Sequence, residues 1–193
     1  MSVTLLRAAD YRRMPWKNGG GETVEIAVFP PDAGLSDFDW RISMAKVAGD
    51  GPFSIFPEID RTLCVLEGNG IALALDGQAP VRLDIGSEPL LFPADVAAEA
   101  RLIDGPITDL NVMTRRGGLT HAVRRVHVEH GTTIRVTGTP ALILCHRGTL
   151  HVEGGGKTLQ LGPLDSLLIE DARDESLQIS GTGVVFVVSV FSV

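Results

Sequence analysis

Hydrophobic residues in this chain fall in short runs separated by turn residues. Runs rich in Val, Ile, Leu and Thr occupy 23–29, 40–47, 61–67, 71–75, 81–85, 141–146, 164–169 and 184–191. Many alternate apolar with polar positions, and most stop at Gly, Pro, Asp or Asn. That period of two, cut by turn formers, predicts β-strands in a sandwich or barrel. Helical periodicity is weak throughout; only 95–102 is apolar enough to suggest a short helix.

The pattern repeats. RTLCVLEGNGIALALDGQAPVRLDIG at 61–86 and ALILCHRGTLHVEGGGKTLQLG at 141–162 share one order. Each has an apolar strand, a charge–Gly turn, a second strand, a Gly-containing turn and a third strand. Gly68 and Gly148 hold equivalent turn positions, and another apolar strand follows each copy. A duplicated β unit of this size predicts two jelly-roll barrels in one chain. The expected division is 1–116 for the first barrel and 117–193 for the second.

Composition narrows the class. Hydrophobic residues make up 44% of the 193 positions and charged residues 21%, enough for a substantial core. Lys plus Arg number 17 against 24 Asp plus Glu, a formal charge of −7. That balance argues against nucleic-acid binding, which needs a basic face for phosphates. No segment reaches the roughly 18 consecutive apolar residues of a membrane span. The N-terminal stretch lacks the apolar core and cleavage site of a signal peptide, and two cysteines make no disulfide framework. A cytoplasmic protein with no membrane partner is expected.

The strand–Glu67-Gly68-Asn69-Gly70–strand pattern resembles a cupin. Four ordered motifs resemble the HutD/Ves family more closely: PWKNGGGET at 15–23, WRISMA at 40–45, GPFSIFP at 51–57 with Asp60-Arg61, and DLNVMTR at 109–115. They span most of the first 116 residues. The resemblance implies an all-β bicupin, two tandem jelly-roll (double-stranded β-helix) barrels packed together. It also implies an association with bacterial histidine utilisation, with ligand binding or regulation favoured over catalysis.

In metal cupins, two histidines and a glutamate precede the Glu-Gly turn and a third histidine follows on a later strand. Laid on this chain, those places fall near Ser54, Phe56, Arg61 and Ala98, so no ligand survives. A guanidinium in place of a carboxylate repels a cation and attracts an anion. The five histidines all lie at 121 or beyond and lack supporting carboxylates at ligand spacing. Neither a metal nor another cofactor is expected. Cys64 lies in an apolar strand. Cys145 and His146, adjacent on a strand, point to opposite faces. No catalytic residue stands out, and Glu22, Glu25, Asp60 and Glu67 carry no acid–base spacing.

Candidate ligand-binding residues are Trp16, Lys17, Asn18, Arg41, Ser43, Ser54, Phe56, Arg61 and Asn111. Lys17 and Asn18 enter the Gly19-Gly20-Gly21 turn, where backbone can approach a ligand. Arg41 and Ser43 share one strand face, turned either to solvent or to the lumen. Arg61 shares a face with Leu63 and Val65 and is expected at the barrel mouth. Asn111 interrupts a late apolar strand. Trp16, Phe53 and Phe56 offer apolar walls. The expected function is a metal-free bicupin binding a small carboxylate such as N-formylglutamate, formate or urocanate, and regulating histidine utilisation. The alternatives are a cofactor-free isomerase or lyase on a similar acid, and a protein-interaction module. A homodimer through 184–191 stays open.

Overall fold

The computed structural model describes residues 2–17, 19–154, 156–171 and 174–193. In chain order the strands are β1 (Val3–Leu6), β2 (Arg12–Pro15), β3 (Gly21–Phe29), β4 (Trp40–Val47), β5 (Gly51–Pro52), β6 (Ile59–Glu67), β7 (Ile71–Leu75), β8 (Val81–Leu83) and β9 (Leu90–Pro93). They continue as β10 (Ala98–Leu102), β11 (Ile107–Arg115), β12 (Leu119–Glu129), β13 (Thr132–Val136), β14 (Ala141–Gly154), β15 (Lys157–Leu161), β16 (Ser166–Ile169) and β17 (Glu175–Ser192). The short helix suggested for 95–102 is instead β10, which pairs antiparallel with β7. Ala98 and Ala100 are buried while Glu99 and Arg101 point outward, so a period of two wins there.

Two compact units result. One is Arg12–Leu119. It holds a six-stranded sheet, β2-β3-β4-β11-β6-β9, and a four-stranded sheet, β5-β10-β7-β8. The two sheets close over a shared core, with Ala45, Leu63 and Val65 from the first meeting Leu73, Ala98 and Ala100 from the second. The other unit joins the segment up to Tyr11 to Thr120–Val193. It is a seven-stranded sheet in which the long strands β14 and β17 carry β16, β15, β13, β12 and β1. Its core is aliphatic apart from Cys145.

The N-terminal segment therefore belongs with the second barrel and not with 1–116. β1 pairs with β16, Val3 opposite Ile169, and Val3 and Leu5 pack on the second core. The Tyr11 hydroxyl lies 2.7 Å from Ser166 Oγ and donates to the Leu164 carbonyl at 2.8 Å. Arg7 pairs with Asp165 at 2.7 Å. These long-range contacts cannot be read from the local alternation of 1–11.

The internal repeat is structural. Gly68 and Gly148 both have φ of +90°, and a Cβ would lie 2.5 Å from the Pro106 carbonyl oxygen at the first and 2.1 Å from that of Thr182 at the second. Only glycine fits such a turn against a neighbouring strand.

Candidate functional site

Strand parity decides which side chains enter the first barrel. Ala45 and Val47 of β4 are core residues, so Ser43 and Arg41 face inward with them. The same rule carries Arg61 inward behind Leu63 and Val65, and Asp109 and Asn111 behind Ile107. Cross-strand register aligns these residues in rungs. One rung runs Arg12, Glu25, Ser43, Asn111, Leu63 across β2, β3, β4, β11 and β6. The next holds Arg41, Met113, Arg61 and Phe92. On the other side, Asp109 lies between Ala45 and Val65.

A β-bulge recruits Glu25. The β3–β4 register shifts between Glu25 and Ala27, leaving Glu25 opposite Ser43 while Val28 faces Arg41. Two consecutive parities thus contribute to one interior.

The buried groups pair. Arg41 Nε donates to Glu25 Oε2 at 2.6 Å, and Glu25 Oε1 stands 3.6 Å from Arg12 Nη1 at the exposed end of the rung. Arg61 Nε donates to Asn111 Oδ1 at 2.8 Å, and Arg61 Nη2 donates to the same oxygen. Asn111 Nδ2 in turn donates to Asp109 Oδ1 at 2.6 Å. One carboxamide therefore bridges a guanidinium and a carboxylate. The Arg61 guanidinium carbon lies 4.5 Å from the Phe53 ring centroid and 5.9 Å from that of Phe92, a cation–π arrangement.

Burial perturbs both charges. Desolvation pushes the Asp109 carboxyl up to about 6, against the pull of Arg61, Asn111 and the Ala45 amide. Desolvation lowers Arg61 to about 10; Asp109 opposes that shift and Arg41 adds to it. Asp109 is 1% exposed, and its Oδ2 is a buried oxygen with no protein partner.

The structure brings together Arg41, Ser43, Arg61 and Asn111 of the sequence candidates. Arg61 is 7% exposed and lies inside the barrel, not at its mouth, because the Phe53 and Phe92 rings cover its guanidinium. Trp16 is half-buried against the same core, with Nε1 donating to Thr23 Oγ1 at 2.8 Å. Lys17 is exposed on its turn, and Asn18 lies outside the described residues. Gly21 serves packing, since a Cβ there would lie 2.2 Å from the Lys46 carbonyl oxygen. Ser54 is exposed in the connection between β5 and β6. Phe56 packs edge-on against Phe38 in a separate end cluster with Ile59, Ala94 and Met113. Ser54 and Phe56 thus lie outside the strands that carry the paired polar groups, because chain between strands follows no parity.

Sequence reasoning missed Glu25 and Asp109. Asp109 stood in the DLNVMTR motif with the right parity to Asn111, a usable signal. Glu25 had none, because its orientation depends on the bulge. Their presence amends the charge picture: each inward guanidinium has a carboxylate nearby, so the lumen is not simply cationic. The donor set does not fit a divalent metal either. Glu25 and Asp109 sit in different pairs beside guanidiniums, and the first histidine of the chain is His121. Among the described residues, no three His, Cys, Asp or Glu side chains gather at ligand distance.

In the second barrel, Cys145 is buried in the core and burial pushes its thiol up to about 11, far from a thiolate nucleophile. A bulge follows Cys145 in the pairing of β14 with β17, and the His146 ring packs against Phe186 at 5.7 Å.

Two double-stranded β-helix barrels in tandem, one with a polar interior, define a bicupin. The chain belongs to the HutD family, whose model matches residues 8–187. It is 35% identical over 187 residues to an uncharacterized 21.2 kDa protein in the hutC 3′ region of Pseudomonas putida, covering 94% of this chain and 93% of that one. It is 41% identical to protein Ves of Citrobacter koseri over 119 residues, 60% of this chain and 61% of the relative. HutD from Pseudomonas fluorescens SBW25, determined in a formate condition, superposes with a TM-score of 0.83 at 32% identity over 100% of both chains. Among the described residues, no helix is long and apolar enough to cross a membrane.

Proposed function

We propose that the first barrel binds a small carboxylate metabolite without a metal, and that this binding makes the chain a regulator of histidine utilisation. The hutC-region and HutD names of its relatives supply the pathway. The carrying observation is Arg61. Its guanidinium is held between Phe53 and Asn111, and its bonds to Asn111 engage Nε and Nη2, leaving Nη1 outside that pairing. A preorganised, desolvated arginine is a strong carboxylate anchor. N-formylglutamate, urocanate and formate are the first candidates.

Calorimetric titration of chelator-treated protein tests this. Saturable binding of one of these acids is expected, weakened roughly 10- to 100-fold in Arg61→Ala, the scale of a lost charge-assisted bond. Unchanged affinity in that variant sinks the assignment.

A second reading has one observation in its favour. Asp109, with its carboxyl near 6 and a free oxygen, has the properties of a general base for a cofactor-free isomerase or lyase. Turnover of a candidate acid followed by NMR, and lost in Asp109→Asn, would establish it.

A further inference from the structure

We propose that segment 52–57 is a hinged strap that gates the first barrel, with Phe53 as a plug that lifts off Arg61 when a solute enters. This deepens the binding reading above and takes its purpose from it. Glu25, Arg41, Ser43, Arg61, Asp109 and Asn111 are all at most 9% exposed. A solute can meet them only if a cover moves.

Two rings cover the Arg61 guanidinium, Phe53 at 4.5 Å and Phe92 at 5.9 Å. They are held differently. Phe92 sits on β9 directly opposite Arg61 in the pairing with β6, and it is 4% exposed. Phe53 lies in the connection between β5 and β6 and is only partly buried. Moving Phe92 unpairs a strand, whereas moving Phe53 does not.

The strap has few attachments. The Phe53 amide donates to the Ala98 carbonyl at 2.8 Å, and the Phe56 amide donates to that of Ala94 at 2.9 Å. Pro52 and Pro57 bound the segment and have no N–H to add. Ser54 and Ile55 are exposed, and among the described residues their amides make no backbone hydrogen bond. The far end is fixed by Phe56, edge-on against Phe38 at 6.0 Å, and by a left-handed corner at Glu58, φ +59°. Phe53 therefore swings about the Phe56 end. Lifting it gives up one backbone hydrogen bond and one cation–π contact, a local opening of the kind that lids use. Closed, its ring keeps water from the guanidinium.

Phenylglyoxal labelling of arginines in the full chain, read residue by residue by mass spectrometry, tests the gate without a ligand. Arg61 should react at least about tenfold more slowly than exposed Arg101. Desolvation lowers Arg61 to about 10, which by itself would speed the reaction, so slow labelling reports the cover. Phe53→Ala should speed labelling of Arg61 by about tenfold or more and leave Arg101 unchanged. Ile55→Ser, on the exposed side of the strap, should leave both rates within about twofold. In the unmodified protein the Arg61 rate should hold steady in urea below the unfolding transition, because a local swing exposes little surface. Labelling of Arg61 as fast as Arg101, or a rate unchanged in Phe53→Ala, overturns the plug. A rate that climbs with urea in step with global unfolding overturns the hinge, and that arm needs no variant to fold. No acid is present, so a failed acid titration leaves the gate standing, and a failed gate leaves the carboxylate reading standing.

Discussion

The two barrels share a strand order and a turn glycine, yet their interiors differ. The second is filled by Val128, Ile134, Ile143, Leu150, Val152, Leu167 and similar side chains. The first carries Glu25, Arg41, Ser43, Arg61, Asp109 and Asn111 in its midst, all at most 9% exposed. The second barrel packs its central cluster from hydrocarbon apart from Cys145, with its buried polar side chains His121, His146, Asp165, Ser166 and Ser189 outside that cluster. Charged groups in the first are therefore not a requirement of the architecture. Burying them carries a desolvation penalty that their pairing only partly offsets. Such a set is expected where a site must recognise something polar.

That contrast can be broken by substitution. The largest effect is expected from Arg41→Ala, which leaves buried Glu25 with only the exposed Arg12, 3.6 Å away. Removing one partner of a buried pair costs about 3–5 kcal/mol. Urea unfolding should show this loss, and adding Glu25→Gln should recover much of it. If the single variant unfolds like the original protein, the pair is not structurally coupled.

Next comes Leu150→Ala in the second core, where Leu150 is fully buried. A cavity there should cost about 2–5 kcal/mol. Acid binding in the first barrel should survive, measured calorimetrically below the unfolding transition. Loss of binding in a folded variant would refute the separation of roles.

The pH response sharpens the comparison further. Asp109 has a folded carboxyl at about 6, above its ordinary value of 3.8. Between those values the folded state keeps a proton that the unfolded state has released. Stability therefore falls as pH rises through that window, by on the order of 3 kcal/mol from this group. Asp109→Asn should remove that slope, so its stability relative to the original protein rises from pH 4 to pH 7. Parallel stability–pH curves for the two proteins would contradict a buried, titrating Asp109.

Much of the fold was legible along the chain because a strand writes its faces into a period of two. Alternation located most strands, and matched Gly turns exposed the duplication. Arg61 could be turned inward because Leu63 and Val65 share its parity. Parity failed at 95–102, where small apolar residues mimic a helix, and in the connection carrying Ser54 and Phe56. It also left the Arg41 and Ser43 face undecided, since both faces of β4 are apolar enough to bury.

The sequence by itself determined an all-β duplicated fold, the turn glycines and the inward Arg61, since each rests on local backbone geometry. Tertiary structure alone decided that β1 joins the second barrel, that a bulge turns Glu25 onto Arg41, and that Asn111 bridges Arg61 to Asp109. Register and bulges are relations between strands distant in the chain. They acquire a value only when the strands pair.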